Sequence, residues 1–122
     1  MNIEDLRTYC LSKPGVEETF PFGPETMVFK VMDKVFLLTG LDDVPLAFNV
    51  KCDPDMAEDL REKFDCVTPG FHMNKKHWNT ITVDDSVSDK LLQEWIDHSY
   101  ELVAASLSKT LKEELKGLRF KV

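Results

Sequence analysis

The sequence predicts an α+β fold: a single domain whose antiparallel sheet of about five strands is packed by N-terminal, central and long C-terminal helices. Three observations carry that expectation. Apolar residues recur at helical spacing in segments 2–12, 53–65 and 86–107. Short β-rich or alternating runs fill 27–32, 35–39, 45–51, 67–72 and 77–83. A length of 122 residues suits one domain and buries roughly two-thirds of the unfolded surface, a core that needs no disulfide or metal staples.

The elements follow in order. In 2–12, Ile3, Leu6 and Cys10 share a stripe, Asn2 can cap the start, and Pro14-Gly15 ends the helix. Phe20-Pro21-Phe22-Gly23-Pro24 is a turn segment whose two phenylalanines are expected to anchor it to the core. Segment 27–32 is a strand with Lys30 its one charge, Asp33-Lys34 a hairpin turn, and 35–39 a continuously apolar central strand. In 45–51, Leu46, Phe48 and Val50 alternate with Ala47, Asn49 and Lys51. One face of this sheet is expected on helices, the other toward solvent or a partner.

Asp53-Pro54-Asp55 is a strong helix start, because an aspartate caps, proline suits the first helical position and acids favour the positive end of the dipole. Met56, Leu60 and Phe64 continue the stripe. Segments 67–72 and 77–83 form a second hairpin around Met73-Asn74-Lys75-Lys76, with Pro69 marking an edge or bulge. Ser86 and Asp89 have capping-box spacing for the long helix, striped by Leu91, Leu92, Trp95, Ile96, Leu102 and Val103. A last short helix is expected over 109–118, fraying at Gly117. The domain proper is expected to span 1–110, with 111–122 a basic C-terminal extension.

Composition narrows the function. With 22 acidic and 15 basic residues the net charge is −7, which argues against indiscriminate coating of nucleic acid or anionic membrane. The longest apolar runs have four residues, too few for a membrane helix, and the acidic start does not read as a signal peptide. Cys10, Cys52 and Cys66 are odd in number and lack CxxC spacing, so they read as reduced, buried thiols of a cytoplasmic protein.

The charge is uneven. No Asp or Glu lies between Asp65 and Asp84, while that stretch holds His72, Lys75, Lys76, His77, Trp78, Asn74 and Asn79. An acid-free hairpin tip with adjacent lysines, an asparagine and an aromatic can contact phosphate and bases, or be an ordinary turn with solvated lysines. His72 and His77 flank the loop and could be two metal ligands, but no third follows at a fixed offset; neither a metal nor another cofactor is expected. Phe71 and Trp78 are expected to pair on the other face. Lys30 and Lys51, the charges of the first three strands, are expected to face outward near this hairpin. From Lys109 onward the chain carries +3, leaving −10 for residues 1–108.

On the long helix, His98 borders the apolar stripe, and Tyr100 can bury its ring while its hydroxyl reaches a backbone group. His98 and Ser99 are adjacent on a helix, point apart and cannot form a nucleophile–base pair. With no GxSxG, HExxH or phosphate-binding glycine loop either, an enzyme is not expected and no residue is assigned a catalytic role.

Pro14-Gly15-Val16-Glu17-Glu18, Phe20-Pro21-Phe22-Gly23-Pro24 and Val28-Phe29-Lys30-Val31 resemble the opening of the YjbR/MmcQ family. Lys51-Cys52-Asp53-Pro54 through Leu60-Arg61 resembles its central strand-to-helix joint. The string from Pro69 to Asn79 resembles its most distinctive motif, with Phe71 where the family often has tyrosine, and His98-Ser99-Tyr100-Glu101-Leu102-Val103 resembles its closing helix. The resemblance covers about residues 1–110. It implies a small α+β fold, similar to frataxin-like and secretion-chaperone-like architectures, and a DNA-binding role through two hairpin wings in bacterial proteins. Under it, Asn74, Lys75 and Lys76 would form a wing tip and Lys30, Lys51 and His77 a supporting surface; His72 and Asn79 are further expected contact residues, with Asn74 or Asn79 reaching a base edge. The expected function is weak, salt-sensitive DNA binding through the 72–79 hairpin. The rival expectation is a non-enzymatic, chaperone-like protein-interaction module using an exposed sheet face or a helix groove, with no membrane partner.

Overall fold

The computed structural model describes residues 1–70 and 73–119. The chain runs α1 (Ile3–Leu11), β1 (Val16–Thr19), β2 (Thr26–Val31), β3 (Lys34–Gly40), β4 (Ala47–Lys51), α2 (Pro54–Lys63), β5 (Val67–Pro69), β6 (Trp78–Thr82), α3 (Asp89–Ala105) and α4 (Lys109–Arg119). The strands form one sheet in the order β1-β2-β3-β4-β6-β5, each neighbouring pair antiparallel.

The sheet has six strands rather than five. The additional one, β1, reads Val-Glu-Glu-Thr and carries no hydrophobic alternation. It is an edge strand. Val16 pairs with Val31 and Glu18 with Phe29, and the Glu18 carboxylate is held by Arg7 of α1 at 2.5 Å. A charged residue can face the helix side there because a partner from α1 reaches it.

Local chemistry sets the boundaries. Asn2 and Asp5 form a capping box at α1, and Asp53 accepts from the Met56 amide at the Pro54 start of α2. Ser88, not Ser86, caps α3: its hydroxyl accepts from the Leu91 amide at 3.2 Å. The Ser86 amide instead donates to Asp84 within a turn that takes Asp85 to φ +65. Met32 and Asp33, at φ +48 and +71, make the β2–β3 turn one residue earlier than expected, the paired positive φ values of a tight hairpin.

Directly opposed residues in an antiparallel ladder share a face, so the register assigns the two faces. Met27, Phe29, Leu37, Phe48, Val50, Ile81 and Val67 lie on the core side with Leu92, Trp95, Ile96 and Val103 of α3. A register shift at Phe29/Lys30 inserts an extra residue in β3, and both Phe36 and Leu37 are fully buried. Ser99, also fully buried, pins α3 to the sheet: its hydroxyl donates to the Phe36 carbonyl at 2.6 Å and accepts from the Lys51 amide at 2.8 Å. Tyr100 buries its ring edge-on to Phe36 and donates to the Pro14 carbonyl at 2.5 Å, as expected.

The boundary expected after residue 110 falls inside α4. That helix continues through Gly117 instead of fraying there, and Leu115 is buried in the common core. No helix among the described residues is long and apolar enough to cross a membrane.

Candidate ligand-binding face

Among the described residues the other face of the sheet carries no helix. Its residues follow from the same register: Val28, Leu38, Asn49, Thr80 and Thr68 in one row, then Lys30 opposite Val35 and Lys51 opposite Trp78 in the next. Val35, Leu38, Met73, Trp78 and Phe22 line an open, mostly apolar pocket of about 570 Å³ on this face. That volume lies in the range of small-ligand sites. Phe22 does not anchor the 20–24 segment to the core as expected. It is 71% exposed, because its turn places it at the pocket rim.

Polar groups meet the pocket on one side. Asn49 accepts the Thr80 hydroxyl on Oδ1 at 2.6 Å, leaving its amide NH₂ without a partner among the described residues. Asp43 also lines the wall, and its carboxylate lies over Gly40, where a Cβ would sit 2.7 Å from Oδ2. On the opposite side stand Lys30 and Lys51. Among the described residues neither ammonium has a salt-bridge partner, although acids outnumber bases by seven in the chain. Both lysines therefore face outward, as expected.

The structure sorts the remaining site candidates. Asn79 is 1% exposed and faces the core side. Its Oδ1 accepts Arg61 Nε at 2.7 Å and its amide donates to the Ala57 carbonyl at 3.5 Å, so it holds α2 to β6 and cannot reach a base edge. Lys75 bends back, donating from Nζ to the Gly70 carbonyl at 2.9 Å, while its own carbonyl accepts Arg61 Nη2. Asn74 spends its side-chain oxygen on the Lys76 amide at 3.0 Å, and its carbonyl takes the His77 and Trp78 amides. These residues build the turn they were expected to present. Lys76 is exposed and His77 partly so, and the His77 carbonyl ties the turn to β4 through the Cys52 amide. His72 and Phe71 lie outside the described residues, so the His72–His77 and Phe71–Trp78 pairs do too. Among the described residues no group of three or more His, Cys, Asp or Glu side chains gathers to hold a metal.

His98 accepts the Asp53 amide on Nε2 at 3.2 Å, at the start of α2. The three thiols are buried, and burial pushes Cys10 up to about 12 and Cys52 to about 11, so neither is an activated nucleophile.

Sequence reasoning missed Arg61, Phe22 and the pocket floor. One signal for the floor was available: Val35 to Leu38 is apolar on both faces, whereas a strand with one solvated face should alternate. Arg61 gave no local signal, because its partners lie 14 to 18 residues away.

Comparison with known proteins places this geometry among relatives. The YjbR family model matches residues 11–102. The chain is 38% identical over 107 residues to the uncharacterized protein YbdF of Escherichia coli O157:H7, covering 87% of each. It is 34% identical over 101 residues to the uncharacterized protein YjbR of Escherichia coli strain K12, covering 83% of this chain and 86% of that one. A crystal structure of a Deinococcus radiodurans protein with a DUF419 domain aligns at TM-score 0.88 and 40% identity, covering 94% of this chain and 88% of that one. A Pseudomonas syringae protein aligns at TM-score 0.72 and 25% identity, covering 84% and 98%.

Proposed function

The chain belongs to the YjbR family, and on that premise we propose that it is a non-enzymatic, cytoplasmic DNA-binding protein whose contact surface is the outer sheet face with the adjoining 74–77 turn. The observation that carries this reading is the pair of lysines, Lys30 and Lys51, on the outer face beside the pocket, neither in a salt bridge among the described residues. Lysines outside any salt bridge on one face of an acidic protein present a local attraction for phosphate, reduced at Lys30 by Glu17 directly opposite it on β1. Lys76 and His77 extend it. Lys75, Asn74 and Asn79 support the turn from behind.

So few cations make few phosphate contacts. Binding is weak and falls with salt, opposed by the acidic helices. The test is anisotropy of a labelled short DNA, as duplex and as single strand, from about 25 to 150 mM salt. The double variant Lys30→Ala/Lys51→Ala should weaken binding and flatten the salt slope by about 1 to 2. Lys75→Ala should leave that slope in place. Absence of binding to either DNA at the lowest salt overturns the reading.

One observation favours a second reading, a protein-interaction module on the same face: the pocket is mostly apolar and Phe22 stands exposed at its rim. Under that reading an apolar side chain of a partner fills the pocket, and DNA does not bind.

A further inference from the structure

Resting on the DNA reading of this face, we propose that the pocket receives one unstacked base, so that the protein binds single-stranded DNA in preference to duplex. The pocket has the parts such a base needs. Trp78, Val35, Leu38 and Met73 supply aromatic and apolar surface for its flat faces. The free amide of Asn49 and the carboxylate of Asp43 offer a donor and an acceptor to its polar edge. In a duplex those faces are stacked and those edges paired, so only a base released from the stack can use the site.

The placement of charge argues for a strand over a free nucleotide. Lys30 lies on β2 and Lys51 on β4, with β3 between them. Strands two apart are separated by roughly 10 Å, which suits successive phosphates of a backbone better than one phosphate. Both lysines pair in register with pocket residues, Lys30 with Val35 and Lys51 with Trp78, so the backbone track runs along the pocket rim. Asp43 occupies the far wall. Its negative charge repels phosphate there and leaves that side to the base.

The test compares an unstructured single strand of about 12 nucleotides with its duplex, at equal low salt, by anisotropy and by tryptophan emission. The chain has two tryptophans, and Trp95 is buried in the core, so quenching on binding reports Trp78. The single strand should bind about tenfold tighter than the duplex and quench emission, while the duplex leaves it unchanged. Trp78→Ala should lose about tenfold toward the single strand and nothing toward the duplex. Should that variant unfold, Leu38→Glu places a carboxylate in the pocket floor and should have the same selective effect, and the quenching of the unaltered protein needs no variant. Equal binding of both DNAs with unchanged emission overturns the base pocket and leaves the DNA reading standing. Binding of neither overturns both, and quenching by a phenylalanine-bearing acidic peptide would then assign the face to a protein partner. Quenching by thymidine monophosphate as strong as by the strand overturns the backbone track.

Discussion

Arg61 holds Asn79 across 2.7 Å, Nε donating to the amide oxygen, and so locks helix α2 to strand β6 behind the open sheet face. The same guanidinium donates to the carbonyls of Lys75 and Trp78. One side chain thus fixes both the 74–77 turn and the strand carrying Trp78. Arg61→Ala leaves Asn79, 1% exposed, without that donor. It should cost about 2 to 3 kcal/mol, since hydrogen bonds to a charged group are the stronger ones and a buried acceptor left unmade is penalised. Urea denaturation measures the loss. Amide exchange should quicken in residues 73–78, whereas exchange that rises only at α2 would contradict the coupling.

Ser99 is the corresponding joint on the other side of β4. Its hydroxyl bridges the Phe36 carbonyl and the Lys51 amide in a fully buried position. Ser99→Ala strands both backbone groups and should destabilise by about 1 to 3 kcal/mol. Because one of them belongs to Lys51, the variant should also shift the Lys51 and Trp78 amide resonances. A Ser99→Ala protein as stable as the parent would refute the joint.

Gly15 should resist substitution. It has φ +73, and an added Cβ would lie 2.8 Å from Leu115 Cδ1 and 3.1 Å from Met32 Sδ. Gly15→Ala therefore combines a left-handed backbone with a clash against α4, at about 1 to 3 kcal/mol. Limited proteolysis should find α4 released first. Unchanged protection of α4 would show that its docking does not depend on this approach.

Stability should fall in alkali. Burial, partly countered by the Lys13 charge, pushes the Cys10 thiol up to about 12. An unfolded thiol ionises near ~8.5, so the folded state binds the proton more tightly. Its contribution is complete below that pH and is lost as pH rises from there toward 12. The urea midpoint should drop above about pH 9, and Cys10→Ala should flatten the decline while lowering the midpoint at neutral pH through a small cavity. Parallel pH curves for the two proteins would contradict this.

Much of the fold was legible because its signals are local. Asn2 with Asp5, Asp53 with Pro54, and the helical stripe through Trp95 and Ile96 each act within a turn or two of chain. β1 was not legible, since Glu18 owes its place to Arg7 across an element boundary. The site divided the same way. Lys30 and Lys51 were visible as lone charges in apolar strands. Asn79 and Lys75 looked like surface chemistry, because nothing near them in sequence reveals that Arg61 and the Gly70 carbonyl would turn them inward.

Under the DNA reading the outer sheet face, extended by the 74–77 turn, meets the ligand; neither the turn alone nor the basic helix α4 does. Backbone amide shift mapping by NMR, with an unstructured single-stranded DNA added at low salt, tests it most directly. Shifts should concentrate at Lys30, Val35, Leu38, Asn49, Lys51 and Trp78, with the Trp78 indole among the largest. Shifts confined to Lys109–Arg119 of α4, or to Asn74 and Lys75 with the strands silent, would contradict it.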